Sequence, residues 1–311
     1  MLQKRFRIYF EALFAVIIWG GTFVATKIAI REISPATLIW LRFGIGLIVL
    51  GAAVLIRRQF ALPTLSDLAY FTLLGFLGVA LHQWLQATGL LTAQATTAAW
   101  IVATIPIFTA LLGWFILREY LGYKRILGIF VAFSGVLLVV SHGYFRSLLE
   151  GGIATFGDLL ILLSAVNWAV FSVLSRRELQ NHPAVRMMFY VMLMGWLLTN
   201  IWLFGFGPGL SEIPALTKAG WGSVLLLGIF GSGLAYIAWY DALQELPAAR
   251  LSVFIYIEPL VTLVLAALIL GEAITITTVI GGAMIISGVY LVNRTGSPAQ
   301  TRLDNDGETA S

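Results

Sequence analysis

Apolar residues run along this chain in blocks of about twenty, separated by short stretches that carry Pro, Gly, Lys or Arg. A helix rising about 1.5 Å per residue needs roughly 17 to 25 mostly apolar residues to cross a bilayer. Ten stretches meet that length: 9–29, 36–56, 68–91, 95–117, 123–141, 157–175, 186–206, 219–241, 248–270 and 274–293. Ser34-Pro35, Pro63, Gly151-Gly152, His182-Pro183, Pro208 and Pro214 punctuate the joints, as turn-forming residues do between helices. The first block follows Lys4, Arg5 and Arg7, a layout shared with signal peptides. It has a counterpart later in the chain, so it is read as a retained span. Residues 294–311 are polar, lack aromatics and are predicted to be disordered.

Composition leads to the same class. Hydrophobic residues make up 59% of 311, charged residues 11%, and mean hydropathy is +0.93. A soluble domain carries about 25% charged residues, so this chain has too little polar surface to coat a globule. The absence of cysteine excludes disulfides, thiolate metal sites and thiol catalysis. The net charge of +4 does not point to nucleic acid, because the basic residues sit in small groups at span ends. With ten spans and the N-terminus inside, one side holds Lys4, Arg5, Arg7, Arg57, Arg58, Arg118, Lys124, Arg125, Arg176, Arg177, Arg186, Arg250, Arg294 and Arg302. The other holds only Lys27, Arg31, Arg146 and Lys218. The positive-inside rule then predicts a multi-pass inner (plasma) membrane protein with both termini in the cytoplasm.

The chain also repeats itself. At a shift of 153 residues Gly75 meets Gly228, Gly78 meets Gly231, Pro106 meets Pro259, Thr109 meets Thr262, and Glu119 meets Glu272. Gly128 meets Gly281 and Ser134-Gly135-Val136 meets Ser287-Gly288-Val289. At slightly smaller shifts Trp19 meets Trp168 and Pro63 meets Pro214. Five spans per copy is an odd number, so the copies must run in opposite senses across the membrane. Inverted repeats of this kind mark transporters whose substrate site lies between the halves. The predicted division is a first repeat at 1–141, a linker at 142–156, a second repeat at 157–293 and the tail.

WGGTFVATK at 19–27, with P-x12-E-x8-G-x6-G from Pro106 to Gly135 and again from Pro259 to Gly288, resembles EamA-type members of the drug/metabolite transporter superfamily. The resemblance covers nearly the whole chain apart from the tail. It implies an all-α integral membrane fold of ten helices, in two inverted five-helix repeats around a central cavity. The first, third, fourth, sixth, eighth and ninth helices would line that cavity. It further implies export of amino acids or other small metabolites, with an aromatic amino acid exporter branch among the relatives. The motifs mark architecture, so the substrate stays open.

Several residues could carry transport. Glu258 and Arg42 are the charges deepest within spans; Arg42 lies ~10 Å inward from Pro35 along its helix. The plainer reading is a buried ion pair, or a carboxylate held by hydroxyls, and Ile105 at the position matching Glu258 favours it. The sharper reading makes Glu258 a proton carrier or the ligand of a substrate amine. Pro106 and Pro259 are expected to kink their helices at symmetry-related points. In LGVALHQWLQATGL, residues 77–90, His82, Gln83 and Gln86 share a helix face and cannot be satisfied by lipid. With Trp19, Trp100, Asn167, Trp168, Tyr236 and Tyr256 they form the predicted substrate site, aromatic with a few neutral hydrogen-bonding groups. Trp221, Trp239 and Tyr240 are read instead as an interfacial belt. Glu119 and Glu272 are read as caps or loop contacts, and the repeated glycines as close helix packing.

The expected partners are a small-molecule substrate and the lipid bilayer, with no nucleic acid, and the chain is expected as a monomer or weak dimer. No cofactor and no metal are predicted: there is no G-x-x-x-x-G-K-[ST], no Gly-x-Ser-x-Gly, and only three scattered His. The leading reading is a secondary transporter, not an enzyme. Its rivals are a drug or other metabolite exporter of the same fold, a channel, which would want a continuous polar lining, and an intramembrane enzyme.

Overall fold

The computed structural model describes residues 2–117, 122–141, 155–245 and 254–294, all of whose regular elements are helices. The predicted tail and most of the predicted linker lie outside these residues. In chain order the helices are α1 (Leu2–Ala29), α2 (Pro35–Ile56), α3 (Leu65–Gly89), α4 (Ala95–Val102), α5 (Ile105–Leu117) and α6 (Tyr123–Val140). They continue as α7 (Phe156–Glu178), α8 (Ala184–Gly205), α9 (Lys218–Glu245), α10 (Ile257–Leu270) and α11 (Ile276–Arg294). Among the described residues nine helical segments are long and apolar enough to cross a membrane, α4 and α5 counting as one, and α10 is a shorter apolar helix. Ile48, Phe115, Phe130 and Leu268 point outward and are exposed, as a hydrocarbon solvent allows. In that solvent each backbone N–H and C=O must find its partner inside the protein.

Local sequence sets the helix ends. Ser34 Oγ accepts from the Thr37 N–H at the start of α2, with Pro35 at the first helical position, where its missing N–H removes no helical bond. Capping boxes open α3 (Thr64 with Asp67) and α7 (Thr155 with Asp158). α2 ends in a Schellman turn: Gln59 N–H donates to the Val54 carbonyl while Arg58 takes φ +54°. α10 ends similarly, with Gly271 at φ +71° and Glu272 N–H donating to the Ala266 carbonyl.

The helices interrupt their own ladders at matching places. α3 widens into π turns at Phe76–Leu81 and α9 at Leu226–Leu234, stretches that overlap at the 153-residue shift. The predicted fourth span is two helices, because Ala103 and Thr104 break it just before Ile105 and Pro106. A turn at Tyr256 likewise precedes Ile257, Glu258 and Pro259. Each proline therefore sits in the first turn of the following helix, where its lack of an N–H costs little.

Packing repeats the pattern with a two-fold relation. Gly128 backs onto the Gly288 carbonyl and Gly135 onto that of Gly281, in an antiparallel contact between α6 and α11. The two pairs exchange under the repeat, so the axis relating the copies passes between these helices. Elsewhere α3 packs on α8 through Gly75 and Gly195, and α9 packs on α2 through Gly228 and Ile45. Phe43, Phe71 and Phe171, fully buried, fill the largest apolar cluster, between α2, α3, α7, α8 and α9.

A Cβ on Gly288 would run into the Gly128 carbonyl and the Ala132 backbone. Gly288→Leu is expected to cost about 1–3 kcal/mol, the usual range for overpacking, and to lower the melting temperature measured in detergent.

Candidate functional site

The site begins with the π turns. A wider turn replaces the regular α ladder with bonds to the fifth residue on, and such turns recur where helices carry function. Here donors from the other half meet them. Trp19 Nε1 donates to the Gly231 carbonyl at 3.1 Å, and Asn167 Nδ2 donates to the Leu77 carbonyl at 2.7 Å. Thus α1 is tied to α9, and α7 to α3, at positions one residue apart under the repeat. A second tie closes α1 on α10: Thr262 Oγ1 donates to the Gly20 carbonyl at 2.8 Å, and Gly20 lies against the Glu258 carbonyl.

These ties enclose a cavity of about 80 Å³ between the halves. From the first half its walls are Trp19, Thr22 and Phe23 of α1, Arg42 of α2, His82, Gln83 and Gln86 of α3, and Val102 and Ile105 at the break between α4 and α5. From the second half come Trp168 of α7, Tyr236 and Trp239 of α9, Ile255, and Glu258 of α10. Small-molecule pockets typically span ~300–1,000 Å³; a metabolite would therefore require these walls to part. A larger hollow of about 380 Å³ lies near the ends of α3 and α7, lined by Ser66, Asp67, Ala69, Tyr70, Leu73 and Glu178. It is an open groove, and its carboxylates Asp67 and Glu178 already face His182 Nε2 at 3.4 and 3.5 Å. The central cavity is the better site, since Arg42 and Glu258 both bring to it groups without partners among the described residues.

Its polar wall is ordered. Arg42 Nε donates to Ser232 Oγ at 2.8 Å and Arg42 Nη1 donates to Gln83 Oε1 at 3.1 Å. His82 Nδ1 lies 3.1 Å from the Ser164 carbonyl. A carbonyl only accepts, so Nδ1 carries the proton and the neutral ring keeps a lone pair on Nε2. The His82 ring lies against Trp168 with centroids 4.6 Å apart, and Trp19 packs between Tyr236 and Trp239 at 5.6 and 5.2 Å. Glu258 is 8% exposed, and its carboxylate has no hydrogen-bond or ion-pair partner among the described residues. A charge at the centre of a spanning helix costs about 2.5–3.5 kcal/mol on insertion scales.

Of the residues named from sequence, Trp19, His82, Gln83, Gln86, Trp168, Tyr236, Arg42 and Glu258 meet at the cavity. Arg42 and Glu258 do not pair with each other, since Arg42 binds Ser232 and Gln83 instead. Three others lie elsewhere. Trp100 is buried against Gly282 of α11, with no partner for its Nε1 among the described residues. Tyr256 shares that cluster, and its hydroxyl accepts from Asn293 Nδ2 at 2.9 Å. Asn167 is spent on the Leu77 carbonyl. Trp239, read as interfacial, is instead a cavity wall, and Tyr240 is buried against Tyr236. The repeat held the signal: a shift of 153 carries Gln83 onto Tyr236 and Gln86 onto Trp239.

Among the described residues Asp67, Glu178 and His182 are the one set of possible metal ligands. Arg186 Nη2 lies 3.1 Å from His182 Nδ1. A guanidinium only donates, so Nδ1 accepts and Nε2 carries the proton toward the two carboxylates. That arrangement sets His182 between carboxylates of α3 and α7 and leaves neither of its ring nitrogens a lone pair for a cation.

Carboxylates fasten the far ends of the helices. Glu32, after α1, accepts from the Thr217 hydroxyl and N–H at the start of α9, at 2.7 and 2.8 Å. Glu212, after α8, accepts from the Thr37 hydroxyl and the Ser34 N–H at the start of α2, at 2.6 and 2.8 Å. Glu272, turned by the left-handed Gly271, accepts from the Ala95 and Thr96 N–H groups that open α4. Glu119 lies outside the described residues. The opposite ends carry a bidentate Arg57–Asp241 pair, with both bonds at 2.7 Å. The Asp241 hydrogen bonds hold the Arg57 guanidinium above its ordinary range. Burial pushes the Glu212 carboxyl up, but the Thr37 hydroxyl and the Ser34 N–H together outweigh it and hold the group below the usual range. The Thr217 hydroxyl and N–H do the same for Glu32.

A carboxyl depressed in the folded state stabilises it above the ordinary carboxylate pKa, near ~4, and that contribution is lost as pH falls through the folded value. Melting temperature in detergent is expected to drop on acidification below ~4, and Glu32→Gln/Glu212→Gln to flatten that part of the curve.

The chain matches the EamA-like transporter family twice, over residues 7–141 and 155–294. It is 31% identical to an "Uncharacterized transporter" of Archaeoglobus fulgidus over 89% of this chain and 93% of that one. It is also 31% identical to the "Uncharacterized transporter YyaM" of Bacillus subtilis, over 92% and 93%. A "Probable terminal-alkyne amino-acid exporter" of Streptantibioticus cattleyicolor is 28% identical over 90% and 91%. A solved structure described as "Crystal structure of protein" aligns with TM-score 0.68 at 22% identity, over 93% of this chain and 99% of that one. That last likeness concerns the fold alone.

Proposed function

The chain belongs to the EamA-like transporter family, and we propose that it exports small metabolites, amino acids foremost, by alternating access. One observation carries the reading: a central cavity draws its walls from both halves and joins an aromatic surface to the guanidinium of Arg42 and the carboxyl of Glu258. Away from the seam between α6 and α11, caps at the helix ends and single side-chain bonds at the π turns are among the fastenings between the halves. Rocking one half against the other would break few bonds at a time, and the narrow cavity needs such a movement to admit a metabolite. Amino acids fit the aromatic walls and the mixed charges, and the relative named as an amino-acid exporter supports that choice. The excess of Arg and Lys at one set of span ends supports a plasma-membrane orientation with cytoplasmic termini. Transport suits the cavity better than catalysis, because no hydroxyl nucleophile among the described residues is hydrogen-bonded to His82.

Reconstituted into proteoliposomes, the protein is expected to show saturable uptake of labelled amino acids, aromatic ones included. Trp168→Ala removes the ring against His82 and should reduce uptake by about 10-fold, with melting temperature as the control for folding. Uptake of no amino acid by folded protein would redirect the assignment to another class of metabolite.

A further inference from the structure

Two opposite charges line one cavity and do not join. Arg42, 5% exposed, has its Nε and Nη1 engaged by Ser232 and Gln83, so Nη2 is without a hydrogen-bond partner among the described residues. Gly231 borders Nη2, and a Cβ there would stand in ordinary contact with it at 3.5 Å. Glu258, 8% exposed, turns an unpaired carboxylate to the same cavity. Opposite charges in a poorly solvated interior gain much by meeting, so their separation needs a cause. Arg42 is held back by bonds to two helices. Glu258 is fixed in the first turn of α10 beside Pro259, its backbone pressed on Gly20 and bonded by Thr262. The fold thus keeps a guanidinium N–H group on α2 and a carboxyl on α10 facing one cavity without partners among the described residues.

We propose that Arg42 and Glu258 are the two poles of a clamp for the head of a free α-amino acid, whose carboxylate binds Arg42 Nη2 and whose ammonium binds Glu258. The inference rests on the exporter reading above and narrows it to substrates that carry both head charges. The side chain then lies against Trp19, Trp168 and Trp239. A guanidinium already fixed by two bonds presents its remaining N–H groups without further loss of rotamer freedom, a preorganised site for a carboxylate. A ligand lacking either charge leaves one pole desolvated and unpaired, and that penalty supplies the selectivity.

The test is competition against labelled phenylalanine uptake in proteoliposomes. Phenethylamine lacks the carboxylate, 3-phenylpropanoate lacks the ammonium, and N-acetylphenylalanine lacks the ammonium's charge. Each is expected to compete at least ~10-fold more weakly than phenylalanine. In Glu258→Gln, phenylalanine should weaken ~10-fold, whereas 3-phenylpropanoate should hold or gain, reversing the order; a merely structural carboxylate would weaken all ligands alike. In Arg42→Gln the amine should gain in the same way. The unmodified protein alone decides the matter if Arg42→Gln does not fold. Phenylalanine transport with all three analogues competing equally overturns the clamp and leaves the exporter reading standing, whereas uptake of no amino acid by folded protein overturns both.

Discussion

In a bilayer a polar group at span depth has no water to turn to, and the rest of this structure follows from how that need is met. The π turns in α3 and α9 set the Leu77 and Gly231 carbonyls within reach of donors from the other half. The indole of Trp19 and the amide of Asn167 answer them from across the repeat. Each of these bonds satisfies a polar group that lipid would penalise and fastens one half to the other. The helices that widen are also those that present His82, Gln83, Gln86, Tyr236 and Trp239 to the cavity. Satisfaction of the backbone and construction of the site are therefore one arrangement. The breaks before Pro106 and Pro259 extend it, since they open the wall at Ile105 and set Glu258 at the start of a helix.

The contacts fall into two kinds, by position. At the axis between α6 and α11, glycine meets backbone with no space to give, a rigid seam. At the far helix ends, Glu32, Glu212 and Glu272 cap helices on the other side of a joint. These are charge-assisted bonds to N–H groups that would otherwise be unpaired, firm yet separable without exposing apolar core. The two halves thus meet at a fixed seam along the axis and at separable polar contacts toward the helix ends.

Much of the architecture was legible in the linear chain. Span length is dictated by hydrocarbon thickness, so blocks of apolar residues located the helices. The repeat, visible from Gly75 and Pro106 onward, placed π turns, breaks and close-packed glycines in matching pairs. The site was only partly legible. Polar groups that lipid cannot satisfy, such as His82, Gln83, Gln86, Arg42 and Glu258, declared themselves, and the structure brings them to one cavity. The aromatics did not. Trp100, expected at the site, went to the seam with α11, and Trp239, expected in an interfacial belt, went to the cavity.

The cause is rotational. These spans are apolar on most of their surface, and a helix apolar all round gives no sign of which way it faces. The sequence by itself determined roughly where the spans lie and that the two halves are copies, because those features follow from apolar run length, local caps and the thickness of one solvent. Only the tertiary structure decided that Arg42 would bind Ser232 from 190 positions away, that Glu258 would remain unpaired, and which rings would enclose the cavity. Those outcomes depend on how each helix turns about its axis against its neighbours, and in a solvent as apolar as the core, packing alone sets that angle.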